Sequence, residues 1–100
     1  MSKRELIAKN RDAILALAAK HGATDVRVFG SVARGEDDET SDVDLICKFT
    51  GKTGFAAFAQ QDEFAEAVAT LLDCKVDVVA DHKDMRPHFR EELERDALAV

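Results

Sequence analysis

The chain has 100 residues, of which 46% are hydrophobic and 34% charged, and its formal net charge is -6. This length predicts one domain over residues 1–100, without a second substrate-binding domain. The acidic balance argues against a nucleic-acid partner, which would need a basic face, and no apolar run approaches the roughly 20 residues of a membrane helix. With no secretory signal and two cysteines beside apolar runs, we expect a cytoplasmic protein with reduced thiols.

The first third of the chain predicts one helix and one strand. Ser2 and Glu5 form a capping box, so we expect a helix to begin at about Lys3. Five residues at helical spacing form its apolar face: Leu6, Ile7, Ile14, Leu17 and Ala18. Residues 25–29 alternate between apolar and polar side chains, which predicts a strand that leads into Gly30.

The middle of the chain predicts a second strand. Residues 32–34 favour a short helical turn, and residues 35–40 are typical of an acidic surface loop. Residues 42–49 then alternate as a strand does. Four apolar residues would lie on one face of that strand and four others on the opposite face: Val43, Leu45, Cys47 and Phe49 against Asp42, Asp44, Ile46 and Lys48.

The second half predicts a long helix and a third strand. Residues 55–72 carry the helix, and six apolar residues would form its buried face: Phe58, Phe64, Ala65, Val68, Leu71 and Leu72. Residues 75–80 predict the strand, with Asp77 on the face opposite Val76 and Val78.

The tail predicts one more helix and an edge strand. Pro87 suits the first turn of a helix that runs to about Asp96, with Phe89 and Leu93 buried, and residues 97–100 would add a short strand. The fold class is therefore a small α/β (α+β) domain, a mixed sheet of three to four strands packed against helices with the site on one exposed sheet face.

The pair Asp42 and Asp44 carries the first chemical signal. At positions i and i+2 of a strand, both side chains point to the same face. Such a pair repels itself unless a cation lies between, which predicts a site for a hard, oxygen-binding metal ion. Gly30 lets the backbone turn close to a ligand, and the free N–H groups of a helix opened by Ser31 would attract anions. These features together indicate a nucleoside triphosphate held with Mg²⁺.

Asp77 is the candidate third carboxylate. A charge in the middle of a valine-rich strand is costly to bury without compensation. An edge position, or a cationic partner such as Arg27 or Lys48, would account for it structurally. The functional alternative places its strand beside that of Asp42 and Asp44, so that three carboxylates converge on one or two Mg²⁺ ions. Two metal ions can clamp an in-line displacement at phosphorus.

These motifs resemble a known signature. Gly30-Ser31, a gap of ten residues, Asp42-x-Asp44 and the later Asp77 are similar to the pattern of the DNA polymerase beta-type nucleotidyltransferase superfamily. The short chain and the Ala33-Arg34-Gly35 continuation most resemble its minimal nucleotidyltransferase branch, the MntA-like antitoxins. The resemblance extends over roughly residues 26–79.

The resemblance implies roles for the matching residues. Asp42 and Asp44 would bind both metal ions, which are two Mg²⁺. Asp77 would bind the ion near the nucleophile and is a candidate acceptor of the nucleophile's proton. Gly30 and Ser31 would hold the β- and γ-phosphates of ATP.

Two basic features each have two interpretations. Arg34 could donate a charged hydrogen bond to phosphate or form a surface ion pair with the acidic loop. Five residues make the tail locally basic: His82, Lys83, Arg86, His88 and Arg90. They would form either the solvated side of an amphipathic helix or a contact area for an acidic partner.

The function implied by the resemblance is Mg²⁺-dependent transfer of AMP from ATP to a hydroxyl group, with release of pyrophosphate. Because the domain is too small to surround an acceptor, we expect the acceptor to be a protein. For the minimal branch, the implied partner is a HEPN-type toxin, modified on a tyrosine in a hetero-oligomer, with this chain as its antitoxin. The alternatives are a non-enzymatic antitoxin that acts by binding alone, and the catalytic subunit of an aminoglycoside-type nucleotidyltransferase.

Overall fold

The computed structural model describes residues 2–35, 42–50, 54–80, 91 and 97–100. In chain order, the elements are α1 (Lys3–Lys9), α2 (Arg11–Lys20), β1 (Ala23–Phe29), α3 (Gly30–Arg34), β2 (Val43–Phe49), α4 (Gly54–Leu72), β3 (Val76–Ala80) and β4 (Leu98–Ala99). The strands form one sheet in the order β3-β2-β1-β4. It is mixed, because β1 pairs antiparallel with β2 and β4 whereas β2 pairs parallel with β3. The predicted fold class is therefore confirmed.

Two predicted segments lie outside the described residues. These are the acidic loop beyond Gly35 and most of the last helix, with its proposed inner residues Phe89 and Leu93; Glu91 alone is described there, and it is helical. Among the helices that the structure describes, none is long and apolar enough to cross a membrane.

The predicted first helix is interrupted once. The Ser2 hydroxyl accepts the Glu5 N–H at 3.1 Å, as the capping box predicts. The helix then breaks at Asn10, whose side-chain amide donates to the Leu6 carbonyl at 2.9 Å. Such local side-chain bonds compete with regular helix, so two short helices replace one. The predicted apolar face is nonetheless retained, with Ile7, Ile14 and Ala18 buried and Leu6 and Leu17 packed beside them.

The core lies on one face of the sheet, against α2 and α4. Alternation places every second side chain there, and the buried ones include Val26, Val28, Val43, Leu45, Cys47, Val76 and Val78. Each fully buried aliphatic side chain of this size contributes about 1.5–3 kcal/mol. On the opposite face, Ile46 is also fully buried but stands outside the core cluster. The face that we predicted to be exposed is therefore covered around Ile46.

The prediction for the inner face of α4 is partly wrong. Phe64, Val68 and Leu72 are buried, but Phe58 is 69% exposed and Leu71 36%. At about 100° per residue, Phe58 lies about 120° around the helix from Phe64. It therefore falls on the flank of the helix, whereas Leu71 lies in the last turn.

Hydrogen bonds link α4 to the turn before β1. We call the three residues that form them, Gly22, Thr50 and Gln60, the Gly22 turn. Gly22 has φ +72°, and its carbonyl accepts the Thr50 N–H at 3.0 Å. The Gln60 side-chain amide donates to the Thr50 carbonyl at 3.4 Å. The Gly22 turn thus joins the start of β1, the end of β2 and α4.

Candidate active site

The site begins where β1 ends. The chain turns at Gly30, with φ +73°, and α3 starts there. Because Phe29 pairs with Asp44 across the β1–β2 ladder, the turn lies directly beside the Asp44 side chain. A Cβ atom on Gly30 would stand only 2.6 Å from Asp44 Oδ2. Glycine is therefore required both by the left-handed backbone and by the carboxylate against it.

The parallel pairing of β2 and β3 brings a second carboxylate alongside. Asp44 stands opposite Asp77 in this ladder, and directly opposed residues share a face of the sheet. Asp42 lies two positions before Asp44, so it faces the same way. Asp44 is half-buried and Asp77 is exposed. The three aspartates predicted from the sequence are therefore neighbours at one end of β2 and β3.

The three carboxylates influence one another electrostatically. Burial raises the pKa of Asp44 above its ordinary value, and the negative charges of Asp77 and Asp42 raise this pKa further. Lys75 and Arg34 oppose the shift. A partly desolvated carboxylate with two like charges close by favours a cation at its side.

Lys75 is the member of this cluster that the sequence interpretation missed. Its Nζ lies 3.5 Å from Asp42 Oδ2. The sequence carries no signal for this contact, because it depends on the register in which Val76 pairs with Val43 and so sets Lys75 opposite Asp42. An ion pair this exposed contributes little stability, which leaves Asp42 free to exchange Lys75 for another cation.

Two structural explanations for Asp77 can be compared with the geometry. The suggested cationic partners, Arg27 and Lys48, both contact Asp25, at 3.7 Å and 3.9 Å. The edge position does hold, because β3 is the outer strand of the sheet. An edge strand accounts for the exposure of Asp77, while its register places it beside Asp44.

The remaining predicted residues lie on α3. Ser31 follows Gly30 in the first turn, and Arg34 is in the last turn, exposed to solvent. Arg34 contributes a positive charge near Asp44. The alternative ion pair between Arg34 and the acidic loop falls outside the described residues.

The donor chemistry fits Mg²⁺, although the ligand set is not closed. All three side chains offer carboxylate oxygens, which Mg²⁺ prefers, and the missing side chain of Gly30 lets the Asp44 carboxylate lie directly against the turn. In the described part of the chain, no three His, Cys, Asp or Glu side chains stand together as a metal-binding group. One reason that the three aspartates do not form such a group is that Asp42 is paired with Lys75.

A larger cavity lies behind α3 and is separate from this site. It has a volume of about 430 Å³ and is lined by residues of α1, α3 and β4. None of the three aspartates is among its described lining residues, so the carboxylate cluster is separate from this cavity.

Comparison with known proteins agrees with this geometry. Residues 11–100 match the family model described as "Nucleotidyltransferase domain". A relative from Methanocaldococcus jannaschii, named "Putative protein adenylyltransferase MJ1379", is 30% identical over 84 residues, which are 84% of this chain and 83% of the relative.

Solved structures share the fold. One described as "Structure of putative minimal nucleotidyltransferase" is 40% identical, covers 100% of this chain and 97% of its own, and superposes with a TM-score of 0.81. A complex of a tri-AMPylated Shewanella oneidensis HEPN toxin with an MNT antitoxin matches at 17% identity and TM-score 0.64, over 92% of this chain and 69% of the other. At that identity, the second match speaks only for the fold.

Proposed function

The chain belongs to the nucleotidyltransferase domain family and is a nucleotidyltransferase, and we propose that it transfers AMP from ATP to a hydroxyl group of a partner protein. The observation that carries this proposal is the register of the sheet. Asp44 stands between Gly30, whose lack of a side chain lets the turn lie against its carboxylate, and Asp77 on the neighbouring strand. This is the order that an in-line displacement needs, with the nucleotide on one side and the nucleophile on the other.

Each residue has a role in the proposed reaction. The backbone at Gly30 and the hydroxyl of Ser31 hold the β- and γ-phosphates, and Arg34 adds positive charge. The oxygen of the acceptor hydroxyl forms a bond to the α-phosphorus, and Asp77 accepts the proton of that hydroxyl. The bond between the α-phosphorus and the bridging oxygen breaks, and pyrophosphate leaves.

Asp42, Asp44 and Asp77 would hold the Mg²⁺ ions. When bound, these ions would neutralise phosphate charge and lower the pKa of the attacking hydroxyl. To bind metal ions together with Asp44 and Asp77, Asp42 would give up its contact with Lys75, a surface ion pair that costs little to break.

The proposed partner is a HEPN-type toxin modified on a tyrosine, with this chain as its antitoxin in a cytoplasmic hetero-oligomer. Two observations support this choice. A structural neighbour of this chain is an MNT antitoxin bound to an AMPylated HEPN toxin. In addition, Asp77 is exposed to solvent on the edge strand β3, so an acceptor protein can reach it with its own surface.

The test is transfer of radiolabelled AMP from [α-³²P]ATP, with Mg²⁺, to a HEPN-domain protein from the same genome. Asp44→Asn should reduce labelling on the order of 10³-fold, because it removes a metal-binding charge. Asp25→Asn is the matched control, since Asp25 lies at the other end of β1, and it should label normally. Equal labelling by Asp44→Asn and wild type would refute the proposal.

A non-enzymatic antitoxin is the second candidate. It is favoured because Asp42, Asp44 and Asp77, all within the described residues, do not stand together as a metal-binding group. Co-expression with the toxin separates the two functions. If Asp44→Asn still neutralises the toxin fully, binding alone is sufficient; if toxicity returns while the complex still forms, AMP transfer is required.

A further inference from the structure

The order of strands predicts the side from which the acceptor enters. The Gly30 turn closes β1, Asp44 lies on β2, and Asp77 lies on the edge strand β3. If phosphate binds at the Gly30 turn, the acceptor must approach over β3. We propose that the groove between α4 and the outer edge of β3 binds the acceptor protein close to the residue that receives AMP; this inference rests on the proposed function. We call this the Phe58 groove.

The Phe58 groove has the dimensions of a single side chain. Its volume is about 140 Å³, below the roughly 300 Å³ at which small-molecule pockets begin. Four residues of α4 and three of β3 line it: Phe58, Gln61, Asp62 and Ala65, with residues 76–78. The Gln61 amide donates to the Val78 carbonyl at 2.7 Å, which holds the helix against the strand and fixes the walls.

The chemistry of the lining selects the occupant. Phe58 presents a phenyl ring that is 69% exposed, and Ala65 and two valines of β3 add apolar surface. Exposed aromatic rings of this kind anchor protein interfaces. Asp62 and Asp77 make the rim acidic, and no cation is among the described lining residues. The occupant is therefore an apolar side chain of the acceptor with a lysine or arginine next to it, close to the hydroxyl that receives AMP.

The two exposed phenylalanines of α4 provide a matched test. Phe58 lines the groove, whereas Phe55, 95% exposed, does not. With a HEPN-domain protein from the same genome as acceptor, Phe58→Ala should lower kcat/KM for the acceptor about tenfold and leave KM for ATP unchanged. Phe55→Ala should stay within about twofold of wild type.

Charge reversal provides a second matched pair. Asp62 lines the groove and its neighbour Glu63 does not, although both are exposed. Asp62→Lys should slow AMP transfer and weaken its dependence on salt, because an attractive contact becomes repulsive. Glu63→Lys should change neither property by more than about twofold.

The outcomes separate the groove from the function. If wild type transfers AMP and the two phenylalanine variants behave alike, the groove proposal fails and the proposed function stands. If wild type transfers no AMP, the proposed function fails. The Kd of the HEPN-domain protein for the two variants, measured without ATP, then decides whether the groove binds it.

Discussion

Two glycines at the two ends of β1 share a backbone conformation but face different neighbours. Gly22 and Gly30 have φ values of +72° and +73°. A Cβ atom on either would collide with a polar side chain, that of Gln60 at Gly22 and that of Asp44 at Gly30. The neighbour of Gly22 is an amide that donates a hydrogen bond, whereas the neighbour of Gly30 is a carboxylate close to other negative charges.

The comparison separates a constraint of the fold from a constraint of the site. At Gly22 the polar groups bind one another, because the turn carbonyl accepts from Thr50 and the Thr50 carbonyl accepts from Gln60 Nε2; among the described atoms of this turn, Gln60 Oε1 is left buried without a partner. At Gly30 the neighbouring carboxylates remain mutually repulsive. The same local geometry therefore stabilises one end of the strand and leaves the other prepared for a cationic ligand.

The largest difference between the two glycines should appear in AMP transfer. Gly30→Ala pushes the Asp44 carboxylate away from its place against the turn, so we expect the rate to fall about 10²-fold. Gly22→Ala should keep the rate of the folded protein within about threefold. Single-turnover labelling, corrected for folded fraction by circular dichroism, measures both. Equal losses in the two variants would mean that the Gly30 turn has no special place in the reaction.

Stability should respond to both substitutions. A left-handed conformation costs a residue with a Cβ on the order of 1–3 kcal/mol, so Gly22→Ala and Gly30→Ala should each lower the free energy of unfolding by such an amount. Urea denaturation followed by circular dichroism measures it. A Gly22→Ala protein as stable as wild type would contradict the role of the Gly22 turn in the fold.

The Gly22 turn should also show energetic coupling. Gln60→Ala removes its partly buried hydrogen bond to Thr50 and should cost about 1–2 kcal/mol. It also makes room for a methyl group on Gly22, so the double variant should lose less stability than the two single losses added together, by about 0.5 kcal/mol or more. Strict additivity in the denaturation series would exclude contact between the two positions.

The smallest expected effect is on the pH dependence of stability. The folded-state pKa of Asp44 is raised above its ordinary value of 3.8 by burial and by Asp77 and Asp42, so the native state holds this proton more tightly than the unfolded chain does. Lowering the pH from about 7 to about 4 should therefore stabilise wild type relative to Asp44→Asn, which lacks the titrating group. Parallel pH series of urea denaturation test this. If the difference in free energy of unfolding between wild type and Asp44→Asn is the same at every pH, the prediction is wrong.

Alternation in the strands was sufficient to predict much of this molecule. The inward valines of β1 and β3 and the outward Asp77 follow from a period of two. Phe58 was misassigned because hydrophobicity does not show how wide a helix face the sheet covers. The break at Asn10 and the burial of Gln60 were not anticipated. The first depends on a local side-chain bond to the Leu6 carbonyl, and the second on the Thr50 carbonyl, which the fold brings close to α4.

Within the site, sequence spacing predicted candidate residues but not their environment. The gap between the Gly-Ser turn and the aspartate pair is visible in the chain, and the register that sets Asp44 opposite Asp77 is not. Lys75 was overlooked because its contact with Asp42 depends on that register. The roles of the three aspartates in catalysis stay predictions until the labelling experiments are done.

The parallel pairing of β2 with β3 also bears on the order of folding. β1 and β2 are antiparallel neighbours joined by a short connection, so the Gly30 turn and Asp44 can meet early. Asp77 arrives only after the whole crossover through α4 has closed, a long-range contact that forms slowly. A nascent or partly folded chain would thus lack the third carboxylate of the cluster until β3 has been synthesised and has paired with β2.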